Sequence, residues 1–147
     1  MEGKVVLDSS TIVALFFRED MSERVEEEVE KYSEYYTVSQ VFSEVANAAW
    51  KRIRIYGEDR DLSKQALEKA VEFISKVCRV EDTKTLLSSA FELALRDGIA
   101  LYDALFVALA MKLNEKLLTT SSSFLSPLPH SKFSFCILLL LSLLLVS

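Results

Sequence analysis

Apolar residues along the chain follow two periods, and segments with one period alternate with segments with the other. Short runs that are continuously apolar or rich in β-branched and aromatic residues are typical of strands. Segments in which apolar residues recur every three or four positions are typical of helices with one face on a core. The predicted strands are 4–8, 35–39, 76–81 and 116–120. The predicted helices are 11–17, 20–32, 40–56, 61–75, 83–96 and 101–114.

Strands that are separated by helices of this length predict a parallel sheet with helices on both faces. The expected fold is a three-layer α/β/α arrangement around a central parallel sheet of four or five strands. A length of 147 residues fits one domain with a sizeable core. We assign that domain to residues 1–124 and treat residues 125–147 as an atypical apolar tail rich in Ser and Leu.

Several residues predict where the helices begin and end. Ser9 or Ser10 is expected to cap the first helix, and Asp61 is expected to cap the fourth. The sequence Asp-Met-Ser-Glu at 20–23 has the spacing of a capping box and predicts the start of the second helix. Gly57 is expected to end the third helix.

Composition and charge exclude several classes of protein. Half of the residues are apolar and only three are Gly, which favours a compact fold over disorder. A net charge of −5 argues against coating nucleic acid through bulk positive charge, although a local basic cluster can still bind it. Cys78 and Cys136 form no CxxC pair, and His130 is the only histidine, so neither a zinc site nor a histidine-based triad is expected.

One aspartate lies in the most apolar segment, IALYDALFVALAM at 99–111. Asp103 has no basic residue three or four positions further along its predicted helix. It begins the helix before the fourth strand, whereas Asp8 ends the first strand and Glu44 lies one helical turn after the second. All three acids can therefore meet at the edge where parallel strands end.

Each acid also has a purely structural interpretation. Asp8 and Asp103 can each cap a helix, and Glu44 can be a solvated helix residue. If the three do converge, burying even one unpaired carboxylate costs several kcal/mol, and a divalent cation removes that cost. Hard oxygen ligands suit Mg²⁺ or Mn²⁺.

Three blocks of the sequence resemble those of PIN domains, in particular the VapC-type toxins of toxin–antitoxin pairs. The blocks are VVLDSS, SEVANAAW and LRDGIALYDALFVALAMKLNEKLLTT, and the resemblance covers residues 4 to about 120. It implies a PIN-like fold in which the acids matching Asp8, Glu44 and Asp103 bind catalytic Mg²⁺ or Mn²⁺ and the enzyme cleaves RNA. Ser10 matches a small hydroxyl position near the same site.

The resemblance breaks after the last strand. The family commonly has a fourth acid there, in a pattern like Thr-x-Asp-x-x-Phe, whereas this chain has Thr119-Thr-Ser-Ser-Ser-Phe124. Ser121 stands where the acid is expected, with Thr120 beside it as a second supporting residue. Because a hydroxyl is a poor ligand for a hard cation, a second metal is expected to bind weakly.

The tail beyond this break has three interpretations. A membrane anchor needs about 20 apolar residues, and the 15 residues from Phe133 are too few. A final buried strand is a second interpretation, although the leucine run lacks β-branching. We favour the third, a frameshift near codon 121, because composition changes abruptly there. The encoding nucleotides should then hold an alternative frame with Asp near position 121 and a tail of mixed charge.

The expected function is a metal-dependent ribonuclease toxin that cleaves single-stranded or looped RNA. Lys51, Arg52 and Arg54 are the predicted contacts to RNA phosphates, with a solvated helix face as the other interpretation. The alternative function is a catalytically weakened PIN-like module that binds an antitoxin or itself. Expected partners are RNA, an antitoxin protein and a second copy in a homodimer, with no direct DNA ligand and no membrane. A strand at the N-terminus, in place of a signal peptide, favours the cytoplasm.

Overall fold

The computed structural model describes residues 2–121 and 137–139. Its strands are β1 Glu2–Leu7, β2 Tyr32–Val38, β3 Cys78–Glu81, β4 Lys116–Thr119 and β5 Ile137–Leu139. Its helices are α1 Ser9–Phe16, α2 Ser22–Val29, α3 Val41–Arg54, α4 Arg60–Lys76, α5 Thr83–Asp97 and α6 Leu101–Leu113.

The strands form one parallel sheet in the order β3-β2-β1-β4-β5, which confirms the predicted fold class. The chain first builds outward from β1 to β2 and β3, and then returns to place β4 on the other side of β1. Right-handed crossovers therefore put α1 to α4 on one face of the sheet and α5 and α6 on the other. The pairing of Leu7 with Leu118 sets the ends of β1 and β4 side by side.

The core explains why α6 is apolar almost all the way round. Residues 104–110 of α6 are all buried, because the helix packs against β1, β2 and β4 on one side and α5 on the other. Val5, Val6 and Leu7 of β1 are all fully buried, and because successive strand residues point to opposite faces, both faces of β1 are covered. Asp103 lies in the first turn of α6, where the helix emerges from the core.

Three predicted helix caps were wrong. Asp8, and neither serine after it, caps α1 by accepting a hydrogen bond from the backbone N–H of Thr11. Asp59 caps α4 in place of Asp61. The box at 20–23 does not form: α2 begins at Ser22 without a side-chain cap, and the Ser22 hydroxyl bonds the backbone of Phe17 and Glu19.

Most of the tail lies outside the described residues, and the frameshift hypothesis concerns that part. Within the tail, residues 137–139 form β5, whose backbone pairs in parallel with β4. A late strand was one of the three interpretations of the tail, and β5 brings the sheet to five strands. Among the described residues, no helix is long and apolar enough to cross a membrane.

Candidate active site

The candidate site lies at the carboxyl edge of the sheet, where β1 and β4 end. The connection that follows β1 runs toward β2 on one side, and the connection that follows β4 runs toward β5 on the other side. Such a switch point leaves a crevice between the two connections. Asp8 directly follows β1, and Thr119 is the last residue of β4. The two residues meet here although they are far apart in sequence.

Asp8 is a buried carboxylate that three donors surround. Its Oδ1 accepts hydrogen bonds from the Ser10 hydroxyl at 2.7 Å and from the Thr11 backbone N–H at 3.0 Å. Its Oδ2 accepts a short hydrogen bond from the Thr119 hydroxyl. With 3% of its surface exposed, Asp8 has a pKa that burial raises and that these hydrogen bonds partly bring back down.

Glu44 projects from the first turn of α3 and is held by two donors. The Ser9 hydroxyl donates to Oε2 at 2.8 Å, and the Gln40 side-chain amide donates to Oε1 at 2.5 Å. Burial is the largest cause that raises the pKa of Glu44. The negative charges of Asp8 and Asp103 raise the pKa of Glu44 further.

Asp103 is half-buried at the start of α6, next to the point where Gln40 reaches that helix. The Gln40 amide donates a second hydrogen bond, to the Tyr102 carbonyl, at 2.9 Å. The structure therefore brings Asp8, Glu44 and Asp103 to one edge of the sheet, each from a different element.

Thr120 and Ser121 approach the site through their backbones. The Thr120 N–H donates to the Ser10 hydroxyl, and the Ser121 N–H donates to the Thr119 hydroxyl, both at 3.0 Å. The Thr119 side chain, to which the sequence analysis assigned no role, donates directly to Asp8. Sequence reasoning also missed Ser9 and Gln40. Only the position of Ser9 beside Asp8 gave any signal.

The side chains at this edge have the right chemistry for a divalent cation, but they are not arranged as a complete set of ligands. In residues 2–121, no three His, Cys, Asp or Glu side chains form a ready cage for a metal ion. Yet carboxylate oxygens are the donors that Mg²⁺ and Mn²⁺ prefer, and the negative charges of Asp8 and Asp103 both raise the pKa of Glu44, an effect that a bound cation would offset. The donor set fits the ion, and side-chain adjustment would have to complete the cage.

A cavity of about 460 Å³ opens beside Glu44 along α3. Of the three predicted RNA contacts, only Lys51 lines it. Arg52 instead pairs with Glu19 at 3.0 Å and with Glu58 at 3.3 Å, and its guanidinium lies over the Phe17 ring. Arg54 is exposed outside the cavity lining. The residues along the cavity are Ser9, Ser10, Val13, Glu19, Ser43, Glu44, Asn47, Ala48, Lys51 and Thr120.

Cys78, the one cysteine in the part of the chain that the structure describes, is unsuited to thiol chemistry. Cys78 is a free, buried cysteine at the start of β3, and burial raises its pKa to about 12. The thiol therefore stays protonated near neutral pH and is a poor nucleophile.

The comparisons with known proteins agree with one another. The PIN domain model matches residues 5–125. Ribonuclease VapC3 of Pyrobaculum aerophilum is 40% identical over 116 residues, which are 79% of this chain and 88% of the relative. Among solved structures, PAE2754 from Pyrobaculum aerophilum aligns over 97% of this chain and 88% of its own, with a TM-score of 0.69 and 20% identity. A toxin–antitoxin complex from Klebsiella pneumoniae aligns over 92% of this chain and 97% of its own, with a TM-score of 0.60 and 14% identity.

Proposed function

This chain belongs to the PIN-domain family, and from that premise we propose that it is a metal-dependent endoribonuclease, the toxin of a toxin–antitoxin pair. The observation that supports the proposal is the position of the three acids at the carboxyl edge of the sheet: Asp8 follows β1, and Gln40 links Glu44 to the start of α6, where Asp103 lies. The relationship to a ribonuclease at 40% identity supports RNA as the substrate.

The proposed roles of the acids follow from their surroundings. A bound Mg²⁺ or Mn²⁺ would lower the pKa of an attacking water and offset charge on the scissile phosphate. Asp8 and Asp103 would hold the ion, and Ser10 and Thr119 fix the two oxygens of Asp8. Glu44, as a further ligand or as the residue that orients the water, would accept a proton readily because its pKa is raised.

The RNA backbone is proposed to enter along α3. Lys51 lines the cavity beside Glu44 with Asn47 one turn nearer to it, so one ammonium and one amide face the proposed path. Arg52 is left out of the RNA contacts because its guanidinium is engaged by Glu19 and Glu58. Since net charge is −5, binding must depend on such local contacts.

The antitoxin is proposed to bind in a separate groove of about 380 Å³ between α1, α3 and α4. Phe16, Phe17 and Ala66 give the groove an apolar floor, and Leu62, which is 66% exposed, stands at its rim. Such a groove suits the apolar face of a partner helix. The complex from Klebsiella pneumoniae, a protein with a similar fold, supports a partner of this kind.

The homodimer and the cytoplasmic location are further parts of the proposal. Leu87, Phe91 and Leu95 recur at helical spacing on the exposed side of α5 and give a second copy an apolar surface. Sedimentation of the parent and of Phe91→Ser should show a dimer that the substitution weakens.

RNA cleavage with and without Mn²⁺ tests the main proposal. The parent should cleave a mixed pool of single-stranded RNA only with Mn²⁺, and Asp103→Asn should lower the rate at least about a hundredfold, which is within the range that loss of one electrostatic contact at a reacting centre commonly costs. Asp61→Asn, an exposed aspartate on α4, is the matched control and should cleave like the parent. If no variant cleaves while the antitoxin still binds, the weakened module is the correct function.

A further inference from the structure

Gln40 occupies the N-cap position of α3 but does not cap the helix. Its backbone is helical, and its side chain makes no hydrogen bond to the N–H groups of the first turn. The side chain is half-buried and is directed toward the acidic edge of the sheet. Helix capping therefore does not explain the side chain.

The amide nitrogen of Gln40 instead joins two catalytic elements. Nε2 donates to Glu44 Oε1 at 2.5 Å, within α3, and to the carbonyl of Tyr102 at 2.9 Å, in the first turn of α6. An amide nitrogen has two protons, and both are used here. Tyr102 directly precedes Asp103, so one side chain ties the Glu44 carboxylate to the backbone that carries Asp103.

We propose that Gln40 is a positioning residue that sets the separation of Glu44 and Asp103, so that both can reach one cation. The inference rests on the proposed function, because it gives Gln40 a purpose only if these acids share an ion. Ser9 completes the arrangement by holding the other oxygen of Glu44 from the start of α1. The carboxylate is thereby fixed between α1 and α6.

A neutral amide suits this position better than a cation. Lysine or arginine here would form an ion pair with Glu44 and compete with a metal ion for its charge. An amide donates to one lone pair and leaves the negative charge and the remaining lone pairs of the carboxylate available. Outer-shell donors of this kind commonly change metal affinity or activity by about ten- to a hundredfold when they are removed.

The test uses Gln40→Met, which keeps the size of the side chain and removes both donors. Gln40→Asn keeps the amide but shortens the side chain by one methylene, so it should not span both acceptors. Gln65→Met, at the other glutamine of the chain, is the control because Gln65 is exposed on α4. For each protein, calorimetry gives the Mn²⁺ Kd, RNA cleavage gives kcat and KM, and a thermal scan without metal gives Tm.

We expect both Gln40 variants to bind Mn²⁺ about tenfold more weakly and to lose kcat by a similar factor. KM for RNA should stay close to that of the parent, the metal-free Tm should fall by only a few degrees because Gln40 is half-buried, and Gln65→Met should match the parent throughout. Parent-like Kd and kcat in Gln40→Met or Gln40→Asn, or a loss confined to KM or Tm, would overturn the role of Gln40. If the Asp103→Asn protein fails to bind Mn²⁺ in that case, the proposed function survives. A parent that binds no Mn²⁺ would overturn both.

Discussion

At Asp8, the same surroundings make a carboxylate useful for holding an ion and costly for the fold. Burial raises the pKa of Asp8, while Ser10, Thr11 and Thr119 stabilise its charged form without cancelling the effect of burial. A group whose pKa is raised in the folded protein binds its proton more tightly folded than unfolded. Its stabilising contribution is present below about pH 4, the ordinary range of an aspartate, and is lost as pH rises through the raised value.

Asp8→Asn should therefore stabilise the metal-free protein while it abolishes cleavage. Asparagine keeps the shape and removes the buried charge, so Tm at pH 7.5 without metal should rise by about 3 °C, and the gap should narrow as pH falls toward 4. Thermal scans across this pH range in EDTA provide the measurement. A lower Tm at pH 7.5, with a gap that does not depend on pH, would show that the Asp8 charge does not weaken the fold.

Thr119 should act on the site through Asp8. Thr119→Val removes a buried hydroxyl that donates to a charged group, which is expected to cost about 2 kcal/mol in the free energy of unfolding. Mn²⁺ affinity should also fall, because Asp8 loses the donor that fixes its Oδ2. Denaturant unfolding and calorimetry measure the two effects.

Thr37→Val is the matched control, since Thr37 is equally buried and donates to the Leu7 carbonyl at 2.8 Å. It should cost about 1 kcal/mol and leave Mn²⁺ affinity unchanged. Equal effects of the two substitutions on Mn²⁺ affinity would mean that Thr119 supports the fold alone.

At the scale of the elements, periodicity was enough for the strands, the helices and their parallel order. Every predicted element is present, because the strand pattern is strong in segments such as β1 and the helical periodicity is strong in segments such as α3. Helix starts were predicted less well: Asp20 and Glu23 have the spacing of a capping box, but α2 begins at Ser22 without a side-chain cap. The spacing of residue types alone therefore does not decide which residue begins a helix.

The acids of the site could be predicted from the sequence, whereas the residues that hold them could not. Asp8, Glu44 and Asp103 could be proposed from their positions at strand ends and in an apolar helix. Gln40 and Thr119 could not, because their roles depend on hydrogen bonds across 62 and 111 positions of the chain. Only the folded sheet edge brings them to these partners.

The basic residues of α3 should divide according to their surroundings. Lys51→Gln removes the ammonium that lines the cavity, so RNA affinity should fall and the slope of log K against log salt should decrease by about 0.7, as for one phosphate contact on a single strand. Arg52→Gln should instead lower Tm, because it breaks the pairs with Glu19 and Glu58.

Lys64→Gln, an exposed lysine on α4, is the control for charge alone. Fluorescence anisotropy with an RNA oligonucleotide at several salt concentrations separates the variants. An unchanged slope for Lys51→Gln would place the RNA path away from α3.

The end of β4 offers a place to restore the acid that the family commonly has. Ser121→Asp should tighten Mn²⁺ binding by about tenfold, because it adds a hard anionic group beside Thr119. Without metal the variant should be less stable than the parent, and Mn²⁺ should close the gap. Ser121→Asn controls for size and should do neither. Equal Kd and Tm in all three proteins would show that residue 121 does not face the site.

At the scale of the whole molecule, the fold places the acidic site next to the two surfaces that are proposed to bind RNA and the antitoxin. The sheet edge gathers the acids, the cavity along α3 leads RNA to them, and the groove between α1, α3 and α4 lies on the other side of Arg52. Arg52 lines that groove, and its partner Glu19 lines the cavity. A single ion pair therefore separates the proposed RNA and antitoxin surfaces.

The location of a bound ion tests the central claim most directly. Crystals of the parent protein grown with millimolar Mn²⁺ should show an anomalous difference peak between the carboxylates of Asp8, Glu44 and Asp103, and crystals of Asp103→Asn should lack it. An anomalous peak elsewhere on the protein, or no peak in the parent, would contradict the claim that these three acids form one metal site.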